Sequence, residues 1–201
     1  MGMRQLSADL AIDAPADRVW EVIGPGFARI GEWASVIPAS APIPGPDGPA
    51  CAVGAPAVGR VCATGVRLFP RVTETLIAYD QARRTLTYQA RDLPALVTLA
   101  RNTWTVVPAG EHRCHVMLQA QFQARGALGM LAGWAATAQA WRNARLLEAD
   151  LGHYVRHGTP SPRKQRQFRR AAKNRKPAHR HDGESRESGW RLRSGPQSLA
   201  Q

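Results

Sequence analysis

Glu74 is the first residue that could do chemistry. It shares one face of a strand-like segment, residues 71–79, with Val72, Leu76 and Ala78, and apolar surroundings disfavour a charged carboxyl. In one reading it is a cavity acid that orients or protonates a ligand, as general acid work requires. In the other it is a rim or outward carboxylate paired with a surface arginine. Tyr88 offers a phenol suited to a ligand carbonyl or hydroxyl; a satisfied structural tyrosine is the plainer reading. Trp33, Trp104 and Trp134 carry flat rings that either line an aromatic pocket or pack an ordinary core. Cys62, Leu76, Leu118 and Leu131 complete the expected ligand wall.

Other chemistries find less support. His112, Cys114 and His115 invite a metal, but strand alternation sends Cys114 and His115 to opposite faces while His112 begins at a turn. No metal and no other cofactor is expected, because no phosphate-cradling glycine loop, dinucleotide fingerprint or serine elbow occurs. Cys51, Cys62 and Cys114 are an odd count without a close pair, which argues against a disulfide framework and fits a reducing compartment. A Cys62 or Cys114 nucleophile has no local sequence support, and buried inert cysteine is the better reading. The N-terminal MRQLSADLAI lacks the apolar centre of a signal peptide, and residues 126–138 are too short and glycine-rich to span a bilayer. A cytoplasmic address is expected.

The elements that must hold these residues follow from periodicity. Leu6, Ala8, Leu10 and Ile12 alternate with polar residues, the pattern of a strand with one buried face. Pro15 and Asp17 open a helix striped by Val19, Trp20, Val22 and Ile23, and Gly24-Pro25-Gly26 stops it. A second short helix covers residues 27–33. Residues 38–59, rich in Pro, Gly and Ala, read as turns or a loop. Strand signals return from Arg60 and continue through residues 71–79, 84–90, 97–107 and 112–122. In the hairpin at residues 80–83, opposing Ala78 to Leu86 also opposes Leu76 to Tyr88 and places Glu74 near Ala90. The period then changes: Leu131, Trp134, Ala138, Trp141, Ala144, Leu147, Leu151 and Tyr154 stripe a helix of about eight turns.

Strand, two short helices, about six strands and one long helix is the layout of the helix-grip fold. The α+β expectation is a curved antiparallel sheet around a long C-terminal helix, with a pocket between them. The residues extend the likeness. Ile12-Asp13-Ala14-Pro15-Ala16-Asp17-Arg18-Val19-Trp20 and Ile30-Gly31-Glu32-Trp33, with Val72-Thr73-Glu74-Thr75-Leu76-Ile77-Ala78-Tyr79-Asp80 and Leu86-Thr87-Tyr88, resemble the superfamily of START-related and birch-pollen-allergen-like domains. The nearest likeness is to its small bacterial polyketide-cyclase/dehydrase-like members, over about residues 6 to 156. That resemblance implies binding of hydrophobic or aromatic molecules, with cyclisation or dehydration in some members. It also implies an arginine near the position Cys62 fills, so Glu74 must find Arg60, Arg101 or a water instead.

The expected domain covers residues 1–157, and residues 158–201 form a basic tail. The tail holds 12 Lys or Arg against three acids, a net of +9, and includes every lysine of the chain. Without a continuous apolar stripe it reads as a solvated, disordered extension, able to contact nucleic acid or anionic membrane nonspecifically. Three functions are open. The first is binding of a small hydrophobic or aromatic ligand in an internal cavity. The second is a cyclase or dehydratase using Glu74 with Tyr88, and the third an adaptor that docks its tail on a polyanion.

Overall fold

The computed structural model describes residues 3–43, 57–67, 69–95 and 97–174, apart from the side chains of residue 124 and residues 126–138. The expected tail beyond Asn174, and the side chains of Leu131 and Trp134, lie outside the described residues. The chain opens with β1 (Met3–Ile12), followed by α1 (Ala16–Ile23), a 3-10 turn (Phe27–Arg29) and the one-turn α2 (Ile30–Trp33). Six strands come next: β2 (Ser40–Ile43), β3 (Gly59–Ala63), β4 (Arg71–Asp80), β5 (Thr85–Arg91), β6 (Val97–Pro108) and β7 (Cys114–Ala124). Two helices finish it, α3 (Gly126–His157) and α4 (Pro162–Asn174).

All strand pairs are antiparallel, in the spatial order β1-β7-β6-β5-β4-β3-β2. The alternation read from the sequence decides which face is covered. Leu10, Ile12, Leu86, Trp104, Val106, Cys114 and Val116 turn inward, against Val19, Trp20 and Ile23 of α1 and Leu147, Leu151 and Val155 of α3. Each fully buried aliphatic side chain of this set contributes about 1.5–3 kcal/mol, so the packing of helices on sheet carries most of the stability. The outward face keeps Thr85, Thr87, Thr103 and Thr105, which pair across β5 and β6 through their hydroxyls.

Three differences from the expected elements have physical causes. First, residues 40–43 form a short edge strand rather than a loop. The Ser40 hydroxyl accepts from the Gly31 N–H at 2.9 Å and donates to the Ala28 carbonyl at 2.7 Å, so side-chain bonds to α2 hold an edge that its apolar pattern would not. Second, Leu76 faces Tyr88 and Glu74 faces Ala90 as expected, but the register slips between Leu76 and Ala78. Ala78 therefore meets Thr87, and Leu86 meets Tyr79. Ile77 and Ala78 are both exposed, so the bulge takes Ala78 off the inward face it was expected to share with Leu76.

Third, residues 162–174 are helical, not a disordered extension. Pro162 suits a first turn, and the Ser161 hydroxyl accepts the Lys164 N–H at 3.3 Å in an N-cap bond. The helix is pinned by a side chain that sequence reasoning assigned to solvent. Lys164 is fully buried, and its ammonium donates to the carbonyls of Ile37 (2.6 Å) and Pro38 (3.0 Å) and to Gln167 Oε1 (2.9 Å). Beside it the buried Asp150 carboxylate accepts from the Ser161 hydroxyl at 2.5 Å and from the Ser35 N–H at 2.7 Å. A basic sequence thus builds a satisfied buried network that joins α3, α4 and the segment after α2. The αL residue Gly158 (φ 67°) makes this return: its N–H closes α3 on the Tyr154 carbonyl at 2.8 Å.

Candidate functional site

A charged pair lies under the sheet's inner face. Arg60 and Glu74 stand opposite each other on β3 and β4. Gly59 permits that approach: a Cβ there would sit 2.3 Å from the Glu74 carbonyl oxygen. The Arg60 Nε donates to Glu74 Oε2 at 2.5 Å, and its Nη1 donates to the Phe27 carbonyl at 2.6 Å. The guanidinium also stacks 3.9 Å from the Phe27 ring centroid and 5.1 Å from that of Tyr88. Burial works against the Arg60 charge, but Glu74, Tyr88 and Cys62 outweigh it and raise the pKa. Glu74 thus finds its partner two residues from Cys62, on the same face of β3. Arg101 takes no part; its Nε is buried without a hydrogen-bond partner among the described residues.

Around this pair the other titratable groups are held neutral. Cys62 Sγ lies 3.6 Å from Glu74 Oε2, and burial together with that carboxylate pushes the thiol up to about 12. Such a thiol is a poor nucleophile. Burial, reinforced by Glu74 and opposed by Arg60, raises the Tyr88 phenol above its usual range.

Tyr88 also lines a cavity of about 180 Å³ between the sheet and α3. Its sheet wall includes Leu6, Ala8, Tyr88, Asn102, Trp104 and Leu118, and Trp141, Asn143, Ala144 and Leu147 of α3 face them. Tyr88 and Asn102 are direct neighbours across β5 and β6. They set a phenol and a carboxamide side by side in an otherwise largely apolar wall. Behind Tyr88, a void of only about 10 Å³ touches Phe27, Trp33, Arg60 and Trp104. It is no larger than a water needs, and Tyr88 and Trp104 border both spaces.

The structure brings Tyr88, Trp104 and Leu118 to the cavity wall. Trp33 is core, packed at the small void, with its indole N–H lacking a partner among the described residues. Cys62, Leu76 and Glu74 sit in the layer beneath Tyr88 and are not among the lining residues. Asn102 and Asn143 were missed. Asn102 carried a legible signal, since it interrupts the inward series of Ala100, Trp104 and Val106 with an amide. His115 faces out to Asp9 at 2.7 Å while Cys114 is buried, and no cluster of three metal-ligating side chains gathers among the described residues. No described helix is long and apolar enough to cross a membrane.

A sheet packed on a long helix, with a partly open cavity between them, fits the START-like class of folds. Residues 3–157 match the family described as polyketide cyclase / dehydrase and lipid transport, and the chain belongs to that family. Among curated proteins none matches. Solved structures of the same fold include the di-domain ARO/CYC protein BexL, with 17% identity, TM-score 0.61, and 76% of this chain on 47% of that one. This chain thus spans about half the length of that protein. Norcoclaurine synthase of Thalictrum flavum aligns at 19% identity and TM-score 0.59, over 78% of this chain and 96% of its own. The ZhuI aromatase/cyclase of a Streptomyces species aligns at 15% identity and TM-score 0.54, over 79% and 99%. At these identities the likeness is one of fold.

Proposed function

We propose that the chain binds a small, uncharged aromatic or polyketide-like molecule between its sheet and α3 and promotes its cyclisation or dehydration. The observation that carries this reading is Tyr88. It lines the cavity directly beside Asn102, and burial holds its phenol against ionisation. A phenol so placed donates to a ligand carbonyl or hydroxyl oxygen, polarising the bond that enolisation or loss of water must weaken. Glu74 acts one step back: it fixes Arg60, which lies against the Tyr88 ring, and so serves as a positioning residue. The printed names of the enzymes that share the fold support turnover, while the family description names lipid transport beside cyclase and dehydrase activity.

The volume limits the ligand. An apolar cavity of roughly 150 Å³ accepts benzene in another protein, so one or two rings fit here. The described lining residues include no carboxylate, imidazole or cation, which favours a neutral molecule. The same lining supports a second reading, a carrier without turnover. Thermal-shift screening of neutral aryl ketones and β-polyketones tests occupancy, since a ligand at about 100 times its Kd adds about 2.7 kcal/mol of stability. Failure of every such compound to stabilise the chain would overturn both readings. Among compounds that bind, single-turnover assays with Tyr88→Phe separate the two: product formation that disappears while binding persists identifies the enzyme.

A further inference from the structure

We infer that Trp141 and the free edge of β1 at Ser7 form a recognition site at the mouth of the cavity, suited to a flat, lactam-like ring with a hydrogen-bond donor beside an acceptor on its rim. That ligand class presumes the cavity reading proposed above. Of the described residues lining the cavity, only Ser7 and Trp141 are exposed. Trp141 is 54% exposed, so its ring borders both the cavity and solvent. The two residues therefore mark the opening, between the sheet edge and α3.

The backbone of β1 sets what Ser7 offers. β1 is the last strand on its side of the sheet and pairs with β7 in an unbroken antiparallel register. In such a pair, successive residues turn their N–H and C=O alternately toward the partner strand and away from it. The Ala11 N–H points away from β7, because it donates to Glu148 Oε1 on α3 at 3.0 Å. Ser7 has the same parity as Ala11, so its N–H and C=O also leave the sheet on the α3 side. Trp141 precedes Glu148 by about 10 Å along α3, and Ser7 precedes Ala11 by about 13 Å along β1. Trp141 thus stands opposite Ser7. Their lining neighbours Ala8 and Ala140 are small and leave room for a ring between strand and helix. A backbone N–H beside a C=O complements a rim that carries C=O beside N–H, as a neighbouring strand would. The half-exposed indole gains contact by covering a flat ring face.

Calorimetric titration of the full chain with the bicyclic lactam carbostyril, its N-methyl derivative and its fully hydrogenated form tests the site, with acetonaphthone as a probe of the cavity alone. Carbostyril should bind about tenfold tighter than the saturated lactam, through the indole contact. It should bind about fivefold tighter than the N-methyl compound, which cannot donate to the Ser7 carbonyl. Trp141→Ala should remove the preference for the flat ring. Ser7→Pro deletes the outward N–H and spares the β7 ladder, as edge strands allow. It should weaken carbostyril about fivefold, whereas Ser7→Ala keeps the N–H and should bind as the parent does. The N-methyl comparison needs no variant, so it decides the edge contact even where Ser7→Pro unfolds the chain. Three results would each overturn the mouth site while acetonaphthone still binds: no preference among the lactams, a flat-ring preference that survives Trp141→Ala, or equal binding by folded Ser7→Pro and Ser7→Ala. Binding of none of the four compounds would overturn the cavity reading with it.

Discussion

Replacing Arg60 by Met leaves the Glu74 carboxylate beneath Tyr88 without its cation. The side chains of the pair are 4% and 12% exposed, so water can replace the lost partner only in part. Removing one member of a buried, hydrogen-bonded ion pair costs about 3–5 kcal/mol. Arg60 also donates to the Phe27 carbonyl, and an unmade bond to a buried acceptor adds about 1–3 kcal/mol where water cannot enter. At about 2–4 °C per kcal/mol for a chain of this size, Arg60→Met should lower the melting temperature by at least roughly 6 °C. Urea unfolding, followed by tryptophan fluorescence and circular dichroism, gives the free energy directly. Glu74→Gln in the Arg60→Met background should recover much of the loss, because two neutral groups then face each other. A single-variant cost below about 1 kcal/mol, or additive costs in the double variant, would refute the claim that these residues act as one buried unit.

Four further outcomes follow from the same geometry. Lys164→Met should destabilise the domain by about 2–4 kcal/mol, since the carbonyls of Ile37 and Pro38 lose a shared charged donor; equilibrium unfolding measures it. Burial lowers the Lys164 ammonium to about 8 from 10.5. The unfolded chain therefore binds more protons between those values, so the parent should gain stability relative to Lys164→Met from roughly pH 8 to 10.5 and show no such gain below. Cys62, pushed up to about 12, should resist alkylation in the native protein at pH 8 and react once unfolded, as peptide mapping would show. Asn102→Leu should weaken binding of a ligand with a ring carbonyl by about 1–2 kcal/mol, the worth of one hydrogen bond, and leave a hydrocarbon of the same shape unaffected.

What the sequence made legible divides along physical lines. The alternation of Leu6 to Ile12, the inward series from Cys114 to Phe122 and the stripe ending at Tyr154 are direct imprints of burial, and β1, β7 and α3 formed where those patterns placed them. Facing partners such as Leu76 and Tyr88 could be found by matching apolar residues across a turn. The bulge at Ile77 could not, because a one-residue slip leaves no compositional mark. Arg60 was named as one of three partners for Glu74, yet only the register of β3 on β4 chooses among them. The depth of Cys62, Leu76 and Glu74 relative to the cavity was equally hidden. Facing inward is a property of local alternation, whereas lining a void depends on which neighbouring rings fill the space first.

The failure at Lys164 came from treating charge as a proxy for exposure. A long basic stretch without an apolar stripe looks like solvated chain, but one ammonium can be satisfied by three acceptors, two of them backbone carbonyls. The cap at Ser161 and Pro162 went unread, and the carbonyls that receive the lysine more than a hundred residues upstream leave no local mark.

That distant anchorage changes where the protein can be divided. The family match covers residues 3–157, whereas the buried hydrogen-bond network runs on through Ser161 and Lys164. A fragment trimmed to the homologous span would strip Asp150 of its serine donor and leave two interior carbonyls open to water. It should melt earlier and exchange amide hydrogens faster around Ser35 to Pro38. Comparisons with relatives of the shorter length would then confuse damage at an artificial terminus with a difference in the ligand chamber.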